Sequence, residues 1–316
     1  MLDYTEKIRE TAKKLLIDGK VDVFIGYKKG SVPMINEPVL ISDPDKTDLL
    51  YWDSNCALNL CNYLTKRTDR IGIVANGCNS RNIVTHIIEN QIKREQLHIV
   101  GIPCTGMIDH RAIGRAVKYR EILDVKEDKD RFTVKCDGLE ETFAKKDYLQ
   151  KNCAICTHRN PVEYDEMVAD SIEEQQGLKV FKDVEKIESM DSDDKWGFFT
   201  QMISTCIRCY ACRNACPLCY CPTCFVDESQ PQWVGKSIDP TDTMTFHILR
   251  AYHCAGRCTD CGACERVCPM GISVRQFTKK LNKDAMELFS WEAGLNTEQR
   301  PPLDVYKVDD YNDFIR

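Results

Sequence analysis

The sequence predicts an α/β fold, with a parallel-sheet domain in the first half and a smaller, cysteine-rich domain in the second. In the first half, apolar runs of strand length alternate with helical periods, the pattern of βαβ units. In the second, twelve of the 19 cysteines fall between Cys206 and Cys268 at short, repeated spacings. The length, 316 residues, suits about two domains with cores of their own.

Residues Tyr4 to Leu16 place Ile8, Ala12, Leu15 and Leu16 at helical spacing, and Gly19 ends the period. Val21 to Gly26 reads as a short strand. After a loop with Pro33, Pro38 and Pro44, Cys56 to Leu64 reads as a helix. Arg70 to Ala75 is strand-like, and the turn Asn76 to Ser80 supplies an N-cap for a helix from Asn82 to Gln91. The pattern repeats: Leu97 to Ile102 is a strand, Pro103 to Gly106 a turn, and a helix can run from Met107. Parallel units of this kind make the domain Rossmann-like, and its expected extent is residues 1–190.

Composition excludes several classes. With 43% hydrophobic and 29% charged residues, a net charge of -6 and a pI near 5.6, the chain reads as an ordinary globular protein. Mixed signs give no basic stripe, so nucleic acid is not expected as a partner. No run of eighteen apolar residues suggests a membrane span, and the start lacks the basic-then-apolar order of a leader, so a cytoplasmic location is expected. In that reducing setting an odd number of cysteines points to metal ligation rather than to disulfides. No Ser/His/Asp set, paired carboxylates or phosphate loop stands out.

Cys78 and Cys104 each come just after the carboxyl end of an apolar strand, the crest where open parallel sheets bind ligands. Taken singly, each would read as a small buried filler. Together with the Cys153-Ala-Ile-Cys156 pair they can supply four thiolates to one [4Fe-4S] cluster.

Cys206-x2-Cys209-x2-Cys212-x3-Cys216-Pro217 has the spacing of bacterial two-cluster ferredoxins, and Cys258-x2-Cys261-x2-Cys264-x3-Cys268-Pro269 repeats it 52 residues on, from 206 to 258. In that arrangement three thiolates of one run and the last of the other hold each cluster. Cluster 1 then takes Cys206, Cys209, Cys212 and Cys268, and cluster 2 takes Cys258, Cys261, Cys264 and Cys216. Paired zinc knuckles would lack the third cysteine and the Cys-Pro. A dicluster ferredoxin (α+β) domain is expected over 191–275.

Between the runs, Cys219, Cys221 and Cys224, with Cys254 before the second run, offer four more thiolates. They suit a third metal centre, either another [4Fe-4S] cluster or one zinc ion, or they are reduced thiols buried by the insertion. Cys56, Cys61 and Cys136 are left as core or surface thiols.

Val100-Gly101-Ile102-Pro103-Cys104 and the Cys153/Cys156 pair, joined to the dicluster spacing, resemble the coenzyme F420 hydrogenase/dehydrogenase beta subunits, notably formate dehydrogenase beta subunits, over roughly residues 70 to 275. The resemblance implies a [4Fe-4S] cluster near a flavin in the α/β part, with Cys104, Cys153 and Cys156 as ligands and Cys78 joining them. It also implies a ferredoxin part that exchanges electrons with a molybdenum, tungsten, nickel-iron or heterodisulfide-reductase-like subunit. The family's Gly-rich flavin segment has no counterpart here, and GxGxxG is absent. FAD binding is therefore unsupported by motif.

The expected function is an iron-sulfur electron-transfer subunit, passing single electrons between a catalytic subunit and another redox partner in a hetero-oligomer. The alternatives are a flavin-containing subunit that exchanges hydride with F420 or NAD(P), a zinc-stabilised module without redox work, and a free carrier. Asp191 to Lys195 reads as a solvated linker. His158 and His253, with Arg81, Arg159, Arg208 and Arg257, lie near the cysteines in sequence, where they can tune a cluster. Phe277 to Phe289 reads as a helix opening the 276–316 segment. Tyr306, Tyr311 and Phe314 then suit docking onto another subunit or packing onto the chain's own α/β domain.

Overall fold

The computed structural model describes residues 4–304. Helix α1 (Tyr4–Ile17) lays Ile8, Ala12 and Leu15 into the core, as their spacing predicts. Strand β1 (Val23–Lys29) turns back through β2 (Asn36–Ile41), and β3 (Ile71–Ala75) and β4 (Leu97–Gly101) add to β1 in parallel. Every residue of β3 is buried, because neighbouring strands flank it on both sides. Gly72 is required there: a Cβ would stand 2.5 Å from the Phe24 ring. Phe24 is itself fully enclosed, so Phe24→Ala is expected to cost about 3–5 kcal/mol. A loss of less than roughly 1 kcal/mol in the unfolding free energy from urea titration would contradict that packing.

Between β3 and β4 lies α2 (Gly77–Ile88), whose first turn is capped by the Asn76 side chain accepting from Asn79 N at 3.1 Å. The helix thus starts five residues before Asn82. After β4 the chain runs without regular secondary structure to Asp109, whose carboxylate accepts from Arg111 N and Ala112 N and starts α3 (His110–Ala116). The helix expected over Cys56 to Leu64 is not formed. Only a 3₁₀ turn, Leu60–Tyr63, appears there. Asp53 and Asn59 accept from the backbone N–H groups of Asn55 and Cys61, diverting donors a helix would need.

A second, antiparallel sheet, β5 (Ile122–Glu127), β6 (Arg131–Cys136) and β7 (Leu139–Ala144), packs Phe132, Val134 and Phe143 against Ile113 and Val117. The short helix α4 (Lys151–Ala154) comes next, and β8 (Glu166–Met167) adds to β4 in parallel. The first sheet is therefore mixed, in the order β2-β1-β3-β4-β8. Cys56, Cys61 and Cys136 are buried core residues.

Helix α5 (Lys182–Glu188) leads into α6 (Ser192–Ile203). The polar run from Asp191 is thus no linker. Asp191 caps α6 by accepting from Asp194 N at 2.8 Å, and its acidic first turn suits the helix dipole. The cysteine runs form two near-identical loops. Each ends in one helical turn, α7 (Ala211–Asn214) before α8 (Pro240–Tyr252), and α9 (Ala263–Arg266) before α10 (Arg275–Phe289). Left-handed backbone occurs at Arg208 and Tyr210 in the first loop and at the equivalent Asp260 and Gly262 in the second. Tyr306, Tyr311 and Phe314 lie outside the described residues. No described helix is long and apolar enough to cross a membrane.

Candidate metal centres

The folded loops gather the cysteines into three places. Cys206, Cys209, Cys212 and Cys268 line one small pocket, and Cys216, Cys258, Cys261 and Cys264 line a second. Each takes three thiols from one run and the fourth from the other. The left-handed turns aim backbone amides at sulfur: Arg208 N donates to Cys206 Sγ at 3.4 Å, and Ile272 N to Cys268 Sγ at 3.4 Å. Such bonds favour the thiolate.

Burial opposes it. The Cys258 thiol is pushed up to about 12 by burial and by the Asp260 carboxylate. Without cations these thiols stay protonated, and a bound metal would release the protons. Two guanidinium groups show that negative charge is expected here. Arg250 and Arg208 are almost fully buried in the walls of the two pockets, and the Nε of each lacks a hydrogen-bond partner. Arg208 faces the Asp242 carboxylate at 3.9 Å, whereas Arg250 has no carboxylate partner among the described residues and so calls for another anionic neighbour, which thiolate-ligated iron and sulfide would supply.

The third place is a cavity of about 770 Å³ at the crest of the first sheet, lined by Cys78, Cys104, Cys153 and Cys156. Cys104 accepts from Gly106 N at 3.4 Å, and Gly106, at φ +110°, lets the backbone turn in close. Burial and the neighbouring Cys153 push the Cys104 thiol up to about 12, and burial pushes Cys156 up to about 11. Cys258 and Asp260 line the same cavity from the other half. The crest cysteines and the second pocket thus share a wall.

The insertion cysteines divide. Cys219 and Cys254 meet Cys216, the three sulfurs lying within 4.8 Å of one another. Cys221 is exposed, and Cys224 is half-buried against Phe225 and its neighbours.

Side chains from both halves lock the arrangement. His86 of α2 bonds the Pro217 carbonyl at 2.8 Å, next to Cys216, while Glu89 pairs with Arg257 and accepts from Tyr220. Asn152 donates to Cys261 O at 3.1 Å, and Asn62 to Ala215 O at 3.1 Å. Arg81 donates to Ala293 O at 3.0 and 2.7 Å, and His158 faces Arg81 and Glu292. Arg159 lines the large cavity. His253 stacks edge-on to Phe225 and contacts no sulfur in the described structure.

Sequence reasoning missed His247, Arg250 and Asp260. His247 Nε2 lies 3.3 Å from Cys206 Sγ, and burial, then Arg250 and Arg208, lowers its pKa to about 4. A ring N–H at that distance can donate to a thiolate. Spacing carried a clue, since His247 and Arg250 stand three apart on one face of α8 and Cys254 follows just past its end. Asp260 binds Arg275 at 2.8 Å and also Lys279.

Residues 202–272 match the family model of the 4Fe-4S dicluster domain. The second half carries a 4Fe-4S dicluster domain. That domain sits in a chain whose relatives are similar along nearly all of it. The F420-dependent formate dehydrogenase subunit beta of Methanocaldococcus jannaschii is 24% identical over 92% of this chain and 92% of that protein. The F420-dependent formate dehydrogenase 1 subunit beta of Methanococcus maripaludis is 23% identical over 92% and 91%. The resemblance to formate dehydrogenase beta subunits therefore holds, and it extends well beyond residues 70 to 275. A chain of the F420-reducing [NiFe] hydrogenase complex of Methanosarcina barkeri aligns with a TM-score of 0.38 and 16% identity over 49% of this chain and 62% of that one.

Proposed function

We propose that the protein is the iron-sulfur electron-transfer subunit of a cytoplasmic hetero-oligomeric oxidoreductase of the formate dehydrogenase kind. Its Rossmann-like domain would hold one [4Fe-4S] cluster on Cys78, Cys104, Cys153 and Cys156, and the dicluster domain two more on the cysteine sets of its two small pockets. The observation that carries this reading is the shared wall, because Cys258 lines the cavity that holds the crest cysteines. Clusters, when bound, take up and release single electrons. The chain's own residues fix their separation and set the charge around them. His86, Glu89, Asn152 and Arg257 hold the halves in register, so the sites keep one spacing. Arg208, Arg250 and backbone amides stabilise negative charge at sulfur, which would raise the potentials relative to bare thiolate sites.

One observation favours adding an organic cofactor. The crest cavity is far larger than the ferredoxin pockets, and Phe181, Trp291, Arg81 and Lys279 also line it. Aromatic groups around that much space suit the ring of FAD, which would let this subunit exchange hydride with F420 or NAD(P). The test is an iron, acid-labile sulfide and flavin count on anaerobically purified protein. The relay reading predicts about twelve irons and as many sulfides per chain from three clusters. Eight irons or fewer would remove the crest cluster, and one FAD released on denaturation would bring in hydride exchange.

A further inference from the structure

We infer that Cys219 and Cys254, together with Cys216, form a site for a single thiophilic cation of the zinc class, with Cys216 shared between that ion and one iron of the adjacent cluster. The inference rests on the proposed function, which makes Cys216 the fourth ligand of that cluster.

Distance decides the kind of site. Around one tetrahedral zinc, with Zn–S near 2.3 Å, neighbouring thiolate sulfurs stand about 3.8 Å apart. A cubane spreads its four thiolates over four different irons and keeps them farther from one another. The sulfurs of Cys216, Cys219 and Cys254 all lie within 4.8 Å, and no other such triad occurs among the described residues. The close spacing fits one ion and does not fit a further cubane. It also changes the ligand set expected from sequence, since Cys216 replaces the exposed Cys221.

Three elements deliver the sulfurs. Cys216 ends the first cysteine run just after α7, and the tight turn beyond it, with Cys219 N bonded to Cys216 O at 3.1 Å, folds Cys219 back onto it. Cys254 lies two residues past the end of α8 and is 2% exposed. Arg250, one turn earlier on α8, lines the same pocket with its Nε unpartnered, which marks the place as one built for concentrated negative charge. Three thiolates and a cluster share that charge. A divalent cation among them lets all three sulfurs ionise, which three adjoining thiols in a buried pocket otherwise resist. A fourth ligand would come from outside the triad, and Cys224, half-buried in the same loop, is the next thiol in sequence after the exposed Cys221. The ion would staple the insertion to α8 beside the cluster, with no redox change of its own.

The test uses anaerobically purified holo-protein. Elemental analysis is expected to give about one zinc beside about twelve irons per chain. Cys254→Ser is expected to lose the zinc and keep at least eight irons, whereas Cys221→Ser keeps both. Zinc K-edge absorption should show an all-sulfur shell with an iron scatterer behind it, the mark of a shared Cys216. Twelve irons with no zinc, and with Cys219 and Cys254 open to alkylation or joined as a disulfide, would overturn the inference and leave the relay standing. About sixteen irons with no zinc would overturn it in favour of a further cluster. Zinc without an iron scatterer would overturn the sharing of Cys216. Eight irons or fewer in the wild type would instead strike the proposed function, so the two failures read differently.

Discussion

Asp260→Ala is expected to destabilise the protein by about 3–5 kcal/mol and to empty the adjoining cluster site. Asp260 sits between Cys258 and Cys261 in left-handed backbone, with its carboxylate bonded to Arg275 at 2.8 Å and to Lys279. Both cations have side chains only 4% exposed. Alanine would leave Lys279 without its ion pair and Arg275 with Glu265 alone. Burial by itself would raise the Asp260 carboxyl, but Arg275 and Lys279 hold it below the usual value. Its contribution is therefore present above the unfolded carboxylate value, about 4, and is lost as pH falls through the lower folded value. Asp260→Asn keeps the shape and should fall between the two. Urea unfolding monitored together with cluster absorbance checks this, and wild-type stability with full iron in the alanine variant would contradict it.

The second large effect belongs to Cys261. Cys261→Ser removes a thiolate from the site nearest the crest cavity, and its neighbour Cys258 lines that cavity. Iron is expected to fall from about twelve to about eight per chain, with electron passage from end to end reduced roughly 100-fold or more. Stopped-flow reduction of the complex, monitored at the acceptor, reads the loss directly. Cys56→Ser, in the hydrophobic core, is the control expected to keep all the iron. A Cys261→Ser protein with unchanged transfer would show that electrons do not cross that site.

Much of the cluster-binding half was legible because cysteine spacing is itself geometry. A C-x2-C-x2-C-x3-C-P run leaves the chain few ways to turn, and the observed loops repeat residue for residue down to the left-handed positions. The crest cysteines were legible for a related reason: Ile71–Ala75 and Leu97–Gly101 are buried parallel strands, and the residues just past the carboxyl ends of such strands meet at one edge of the sheet. The antiparallel sheet was harder to see. Phe132, Val134 and Cys136 alternate correctly, but β5 and β7 are mostly polar and half-exposed, so period-two patterning fades in two strands of three. The tight group of Cys216, Cys219 and Cys254 depends on where α8 returns, 30 residues and more along the chain, and local spacing carries nothing about that. Asp191 to Lys195 misled because a helix N-terminus and a linker share the same acidic composition.

The central claim is that the α/β half holds a cluster of its own beside the dicluster domain. Low-temperature EPR of the fully reduced, anaerobically purified protein, compared with Cys104→Ser, tests it most directly. The account predicts about three spins per chain, broadened by coupling between neighbouring clusters, and about two in the variant, with the dicluster signals kept. Identical spectra from the two proteins, integrating to two spins, would contradict it.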